Sequence, residues 1–168
     1  MKKHKSIVKR ESKIVFKKNL VIKTLRRESW SKENFDLYKQ YSSRNNYAVK
    51  LIEWIDEKTF SMEYIDIDQS VSTLIEDQYN LSEEFKRDFL ILYTRIYTEC
   101  LLFSKQNLPA GSYFMHKDMN LANFVLDKQG NIKLLDPNSF TIQNNPINES
   151  YAFRSQQLLW NLMKTYSR

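Results

Sequence analysis

Glycine is scarce in this chain of 168 residues, with only Gly111 and Gly130 present. Neither the dinucleotide-binding fingerprint nor the P-loop can occur here, because both place several glycines where the backbone approaches phosphates. One cysteine and two histidines exclude a disulfide framework, a zinc ribbon and a multi-histidine metal cage. Any metal site would therefore use oxygen ligands, which suit a hard ion such as Mg²⁺.

Long apolar runs are also missing from the sequence. Residues 89–93 are among the longest, and they are far shorter than the roughly 20 residues that a transmembrane helix needs. Charged residues interrupt the N-terminal segment where a signal peptide would have its apolar core. We therefore expect no transmembrane segment and a cytoplasmic, reducing location.

Positive charge is concentrated at the N-terminus. Residues 1–27 hold eleven lysines and arginines against a single acid, Glu11, whereas acids outnumber bases in the remainder. We predict that residues 1–13 form a basic arm. A solvated tail is one interpretation of this arm, and a binding site for nucleic acid, anionic lipid or an acidic polymer is the other.

The spacing of apolar residues predicts an α+β fold with two lobes. Residues 14–66 are expected to form a β-rich N-lobe with one helix, and residues 67–168 a reduced helical C-lobe. The predicted strands are residues 14–16, 20–24, 48–55, 59–64, 124–127 and 131–135. The predicted helices are residues 30–42, 83–106 and about 150–166.

A group of polar residues surrounds the last predicted hairpin. If its two strands pair symmetrically about the turn, Asn123 lies opposite Leu135, and Asn123 and Asp136 leave the same end of the hairpin. Asp118 and His116 lie in the segment just before it. Such a cluster can hold Mg²⁺ through Asn123 and Asp136 while Asp118 accepts a proton from an attacking hydroxyl. An ordinary polar turn is the alternative.

These residues resemble the catalytic loop and the metal-binding aspartate of the protein-kinase-like superfamily. The matching positions are the pattern H-x-D-x₄-N over residues 116–123 and an aspartate thirteen residues later. The resemblance implies that Asp118 is the catalytic base, that Asn123 and Asp136 bind Mg²⁺, and that His116 braces the loop. It also implies a bilobal kinase-like fold that binds ATP.

The resemblance continues upstream at Lys23. Residues 21–23 are similar to the strand whose lysine contacts the α- and β-phosphates of ATP. By this resemblance Lys23 is a catalytic and nucleotide-binding residue, and Glu33, or else Glu28, is its ion-pair partner. Taken without the resemblance, Lys23 would be a solvent-facing strand residue and Glu33 an acid suited to a helix N-terminus.

Residues 62–65 resemble the hinge between kinase lobes. The resemblance implies that this segment, beginning at Met62, holds the adenine of ATP through backbone groups of Glu63 and Ile65. Because no glycine-rich loop precedes Lys23, bulkier residues within 11–18 are expected to cover the phosphates.

Several departures argue against a regulated protein kinase. The metal-binding triplet is Asp136-Pro137-Asn138, Asn120 stands where protein kinases carry a lysine, and only 32 residues follow Asp136. The layout is more similar to aminoglycoside phosphotransferases and to lipopolysaccharide-core sugar kinases. This resemblance implies transfer of the γ-phosphate of ATP to a hydroxyl acceptor, a small molecule or sugar rather than a protein.

Two alternatives belong to other functional classes. The first is a pseudokinase that binds nucleotide or a protein partner without transferring phosphate. The second is a small basic module that binds nucleic acid or an anionic surface through residues 1–27.

Overall fold

The computed structural model of the chain describes residues 6–8, 12–27, 30–76 and 82–145. Three predicted features lie outside these residues: Glu28, most of the basic arm, and the helix expected at about 150–166. Within the described ranges, no helix is long and apolar enough to cross a membrane.

The described elements alternate between strands and helices along the chain. The strands are β1 (Ser6–Val8), β2 (Ser12–Lys17), β3 (Leu20–Leu25), β4 (Leu51–Trp54), β5 (Thr59–Glu63), β6 (Ile67–Ser70), β7 (Tyr113–His116), β8 (Phe124–Asp127), β9 (Ile132–Leu134) and β10 (Phe140–Gln143). The helices are α1 (Lys32–Arg44), α2 (Val71–Glu76) and α3 (Glu83–Asn107), with short 3-10 turns at Leu121–Asn123 and Pro137–Ser139.

The N-lobe is a five-stranded sheet in the order β1-β2-β3-β5-β4, with every neighbouring pair antiparallel. Its centre is β3, where Val21, Lys23 and Leu25 are buried and the residues between them are half-buried. This alternation is the period of two that a strand imposes on its side chains. Lys23 therefore enters the protein interior among apolar neighbours.

Helix α1 packs beside this sheet through its aromatic residues. Ser31 caps its N-terminus by accepting a hydrogen bond from the Asn34 N–H at 3.1 Å, which satisfies one of the unpaired amides of the first turn. The predicted spacing of three is observed, because Phe35, Tyr38 and Tyr41 are all buried.

The two lobes are joined at α1 and β10. The indole N–H of Trp30 donates to the Phe140 carbonyl at 3.0 Å, and the rings of Tyr38 and Phe140 lie 5.0 Å apart. Both rings are fully buried. Burial of each such side chain stabilises the fold by about 1.5–3 kcal/mol, so this contact fixes the N-lobe against the strand that follows Asp136.

Helix α3 is the long helix of the C-lobe, and it confirms the prediction to within one residue. Ser82 caps it, accepting from the Phe85 N–H at 3.1 Å. The predicted apolar stripe is buried at Phe89, Ile96, Cys100 and Phe103. The helix ends at Asn107, shortly before a proline that cannot continue it.

The hairpin β8–β9 has the predicted register. Phe124 pairs with Leu134, and the Leu135 N–H donates to the Asn123 carbonyl at 2.7 Å. Strand β10 then returns antiparallel to β7, with Phe140 opposite His116. These two pairings bring the residues after β7, before β8 and after β9 to one place.

Several short elements were not predicted. Strands β6, β7 and β10 and helix α2 have four to six residues each, too few for a clear hydrophobic period. Strand β1 lies within the predicted basic arm and pairs with β2, so the sheet begins before residue 14. The predicted domain boundaries at 13 and 66 remain predictions.

Most of the segment expected to cover the phosphates is a strand, and its covering role stays a prediction. Residues 12–17 form β2, and the Asn19 carbonyl in the turn after β2 accepts from the Tyr64 N–H at 3.1 Å. The connection from β1 to β2 spans residues 9–11, which lie outside the described residues.

Candidate functional site

Asp118 lies in the loop between β7 and β8, beside Asn123. The Asn123 side-chain amide donates to the Asp118 carbonyl at 2.9 Å and lies 3.4 Å from its carboxylate. The amide nitrogen is used in this way, so Oδ1 is the atom of the Asn123 side chain that could bind a metal ion. Asn120 shapes the same loop by accepting from the Ala122 N–H at 3.2 Å.

His116 supports this loop from below. It is fully buried, its Nδ1 accepts from the Asp118 N–H at 3.1 Å, and its ring meets Phe140 edge to face at 4.9 Å. Burial lowers the pKa of His116 from 6.5 to about 4, although the carboxylates of Asp136 and Asp118 oppose this shift. The imidazole is therefore neutral at physiological pH, as its acceptor role requires.

Asp136 follows β9 in a left-handed backbone conformation, with φ 63° and ψ 56°. A residue with a side chain adopts this conformation at a cost of order 1 kcal/mol or more, and such strain is concentrated at functional sites. Burial alone would raise the pKa of Asp136. The charge of Lys23 and the hydrogen bonds from Lys23 and Ser139 outweigh burial and lower this pKa below its ordinary value.

Lys23 crosses from the N-lobe to Asp136. Its Nζ forms an ion pair with Asp136 Oδ1 and donates to Asn138 Oδ1 at 2.7 Å, across more than 110 residues of sequence. The Lys23 side chain is 9% exposed and that of Asp136 is 27% exposed. The structure thus gathers Lys23, Asp136 and the loop of Asp118 and Asn123 around His116.

Glu33 does not join this cluster. It is exposed in the first turn of α1, and the ion-pair partner of Lys23 is Asp136 instead. The expected ion pair between Lys23 and Glu33 is therefore wrong for this structure, because Glu33 lies on the solvent side of α1. Its position suits the positive end of the helix dipole, which is the other interpretation that the sequence allowed.

The hinge segment begins where β5 ends, next to Lys23 in the sheet. Met62 pairs with Val21 on β3. Glu63 is held by Lys50: its N–H donates to the Lys50 carbonyl at 2.9 Å, and its carboxylate accepts from the Lys50 N–H at 2.8 Å. Among the described residues, the Ile65 N–H donates no backbone hydrogen bond.

Comparisons with solved structures give matches at the level of the fold. The kinase PK-1 of Cydia pomonella granulovirus superposes with a TM-score of 0.56 and 17% identity, over 78% of this chain and 48% of that protein. A choline/ethanolamine kinase family protein from Mesorhizobium loti superposes with a TM-score of 0.53 and 10% identity, over 98% of this chain and 69% of that protein.

The chain has a protein-kinase-like fold. No protein-family model matches the sequence, and the comparison with curated proteins finds no match. The chain spans about half the length of the granulovirus kinase. The predicted fold class, a minimal kinase-like fold, is confirmed: the N-lobe is an antiparallel sheet, and the described part of the chain has few helices.

The oxygen donors of Asn123 and Asp136 fit Mg²⁺ better than a softer ion. Asn123 offers an amide oxygen and Asp136 a carboxylate, and Mg²⁺ usually takes one or two such protein ligands while phosphates and water complete its octahedron. Among the described residues, no three His, Cys, Asp or Glu side chains group to hold a metal. An ion held by Asn123 and Asp136 would need oxygen ligands from outside the protein to complete its coordination.

Two residues of the cluster were not predicted as site residues. Asn138 binds Lys23, and the Ser139 hydroxyl donates to Asp136 Oδ2. Both lie in the turn Pro137–Ser139, directly after Asp136. The available signal was the triplet Asp-Pro-Asn, in which the usual phenylalanine and glycine are replaced by residues that favour a tight turn.

Proposed function

We propose that this protein is a phosphotransferase that moves the γ-phosphate of ATP to a hydroxyl acceptor, a small molecule or sugar. The observation that carries the proposal is the contact between Lys23 on β3 and Asp136 after β9, beside the loop of Asp118. A cation from one lobe and carboxylates from the other meet where a triphosphate would lie.

Each residue has a role that its position supports. The adenine lies against Met62 and binds the backbone at Glu63 and Ile65. Lys23 donates to phosphate oxygens, and Asn123 with Asp136 would hold Mg²⁺. When bound, this ion neutralises charge on the phosphate oxygens.

Asp118 acts on the acceptor. The acceptor oxygen forms a bond to the γ-phosphorus while the bond from that phosphorus to the bridging oxygen of ADP breaks. The Asp118 carboxylate takes the hydroxyl proton, and Asn123 orients this carboxylate through the contact at 3.4 Å. The products are a phosphate ester and ADP.

The small-molecule acceptor is favoured by one observation. One structural neighbour is named for choline and ethanolamine, which are small hydroxyl compounds.

The test compares Asp118→Ala with the wild-type chain and with the control Asp68→Ala, an exposed aspartate on β6. We expect Asp118→Ala to lower ATP turnover, against water and a panel of small hydroxyl acceptors, by about 10²–10⁴-fold. Nucleotide binding, measured by thermal shift, should survive. Asp136→Ala should abolish the part of that binding that depends on Mg²⁺. Equal turnover in wild type and Asp118→Ala would refute the proposal.

The pseudokinase is the second candidate, and one observation favours it. Both carboxylate oxygens of Asp136 are already engaged by the protein, one by Lys23 and the other by Ser139. Nucleotide-dependent stabilisation of the wild type without ADP release or any phosphorylated product would select this function.

A further inference from the structure

The partners of Lys23 lie in a single turn of the C-lobe. A buried ammonium needs partners that replace its hydration. Lys23 has two among the described residues, the carboxylate of Asp136 and Oδ1 of Asn138 at 2.7 Å. Two of the three N–H donors of Lys23 are therefore used, which leaves one for a phosphate oxygen.

Helix α1 gives Lys23 no carboxylate. Glu33 is exposed, and Asp36 pairs with Lys32 on the solvent side of the helix. The inward-facing Tyr38 donates its hydroxyl to the Val49 carbonyl at 2.9 Å. The direction of Lys23 is thus set by the C-lobe and not by the helix of its own lobe.

The turn that carries Asn138 is held firmly. Pro137 is buried and fixes its own φ, and the Ser139 N–H donates to the Asp136 carbonyl at 2.9 Å. The Ser139 carbonyl in turn accepts from the Lys117 N–H at 2.8 Å, which connects the turn to the loop of Asp118. A group on this turn keeps its position relative to the catalytic loop.

We propose that Asn138 is the positioning residue for Lys23, in place of an acid on helix α1. Asp136 is also the candidate metal ligand, so Asn138 is the partner of Lys23 that a metal ion does not require. Its amide is neutral, and it directs the ammonium without cancelling its charge, which stays available to the phosphates. The hydrogen bond that positions the Lys23 ammonium consequently does not depend on the position of α1.

Two readouts test this inference. The first is the acylation rate of Lys23 by acetic anhydride in the nucleotide-free full-length chain, measured by mass spectrometry. The second is the affinity for Mg·ATP, together with KM and kcat. This second readout rests on the proposed function. The variants are Asn138→Ala, Asn138→Asp and Glu33→Ala. Asn131→Ala is the matched control, an asparagine at the far end of the β8–β9 hairpin.

We expect Asn138→Ala to raise the acylation rate of Lys23 several-fold and to weaken Mg·ATP binding on the order of tenfold, the typical effect of losing one hydrogen bond to a charged group. Asn138→Asp should restore slow acylation, because it keeps the acceptor oxygen, while its added negative charge still weakens nucleotide binding. Glu33→Ala and Asn131→Ala should leave the acylation rate of Lys23 unchanged.

The inference is overturned if Glu33→Ala speeds the acylation of Lys23 and Asn138→Ala does not. It is also overturned if Asn138→Asp is acylated as fast as Asn138→Ala while both remain folded by circular dichroism. If the wild type neither binds nor turns over Mg·ATP, the proposed function fails, and the acylation rates still decide the role of Asn138.

Discussion

The buried histidine that contacts the loop of Asp118 makes the stability of this protein sensitive to mild acid. His116 has a folded-state pKa of about 4, against an ordinary value of 6.5. Because this pKa is lowered, His116 is protonated in the unfolded chain but neutral in the folded chain at pH values between about 4 and 6.5. Stability therefore falls as the pH decreases through 6.5, and the loss continues until the pH reaches about 4.

The size of the effect follows from the two pKa values. On going from about pH 7.5 to about pH 5, the linkage relation gives a loss of about 2 kcal/mol in the free energy of unfolding. For a chain of this length, that corresponds to a fall of about 4–8 °C in Tm. Asp136 also has a lowered pKa, but its contribution is lost only as the pH falls through the ordinary carboxyl value of 3.8 and below it.

Urea unfolding at several pH values, followed by tryptophan fluorescence, measures this loss. The variant His116→Gln keeps a polar side chain but cannot titrate, so its stability should change little between about pH 7.5 and pH 5. The control is His4→Gln, since these are the only two histidines in the chain. If His116→Gln loses as much stability as the wild type, the assignment of the pH dependence to His116 is refuted.

Two further predictions concern contacts within the fold. Lys23→Met should destabilise the protein by about 2 kcal/mol, less than the loss of a fully buried pair, because Asp136 is partly exposed. In a double-mutant cycle with Asp136→Asn, a coupling free energy within error of zero would contradict the ion pair. The Ser104 hydroxyl is buried, donates to the Cys100 carbonyl at 2.6 Å and accepts from the Phe114 N–H at 2.7 Å. Ser104→Ala should cost about 1–3 kcal/mol in urea unfolding, because it leaves the Phe114 amide unsatisfied, and an unchanged midpoint would show that this bond is dispensable.

Much of the candidate site was predictable from local pattern. The register of the β8–β9 hairpin follows from its turn, because pairing is fixed once the turn is chosen. That register alone places Asn123 beside the start of the segment that carries Asp136. Helix α3 was equally clear, since a long apolar stripe at helical spacing has few alternatives.

The partner of Lys23 was not predictable in the same way. Whether Lys23 contacts Glu33, or instead Asp136 and Asn138, depends on how α1 is oriented relative to the sheet and on where the turn after β9 lies. Both are long-range arrangements that sequence spacing does not encode. The short strands β7 and β10 were missed for a related reason: each is stabilised by pairing with the other, and neither has a pattern of its own.

The sequence by itself determined the chemistry that is present and its order along the chain: a lysine on an early strand, an aspartate and an asparagine in one loop, and an aspartate after the following hairpin. These depend on residue identity and on periodicities of a few residues, which are local properties. The tertiary structure decided which of these groups meet. In the folded protein Glu33 is exposed, His116 is buried, and Lys23 contacts Asp136 and Asn138. These positions follow from tertiary packing, in which α1 and β10 share an aromatic core.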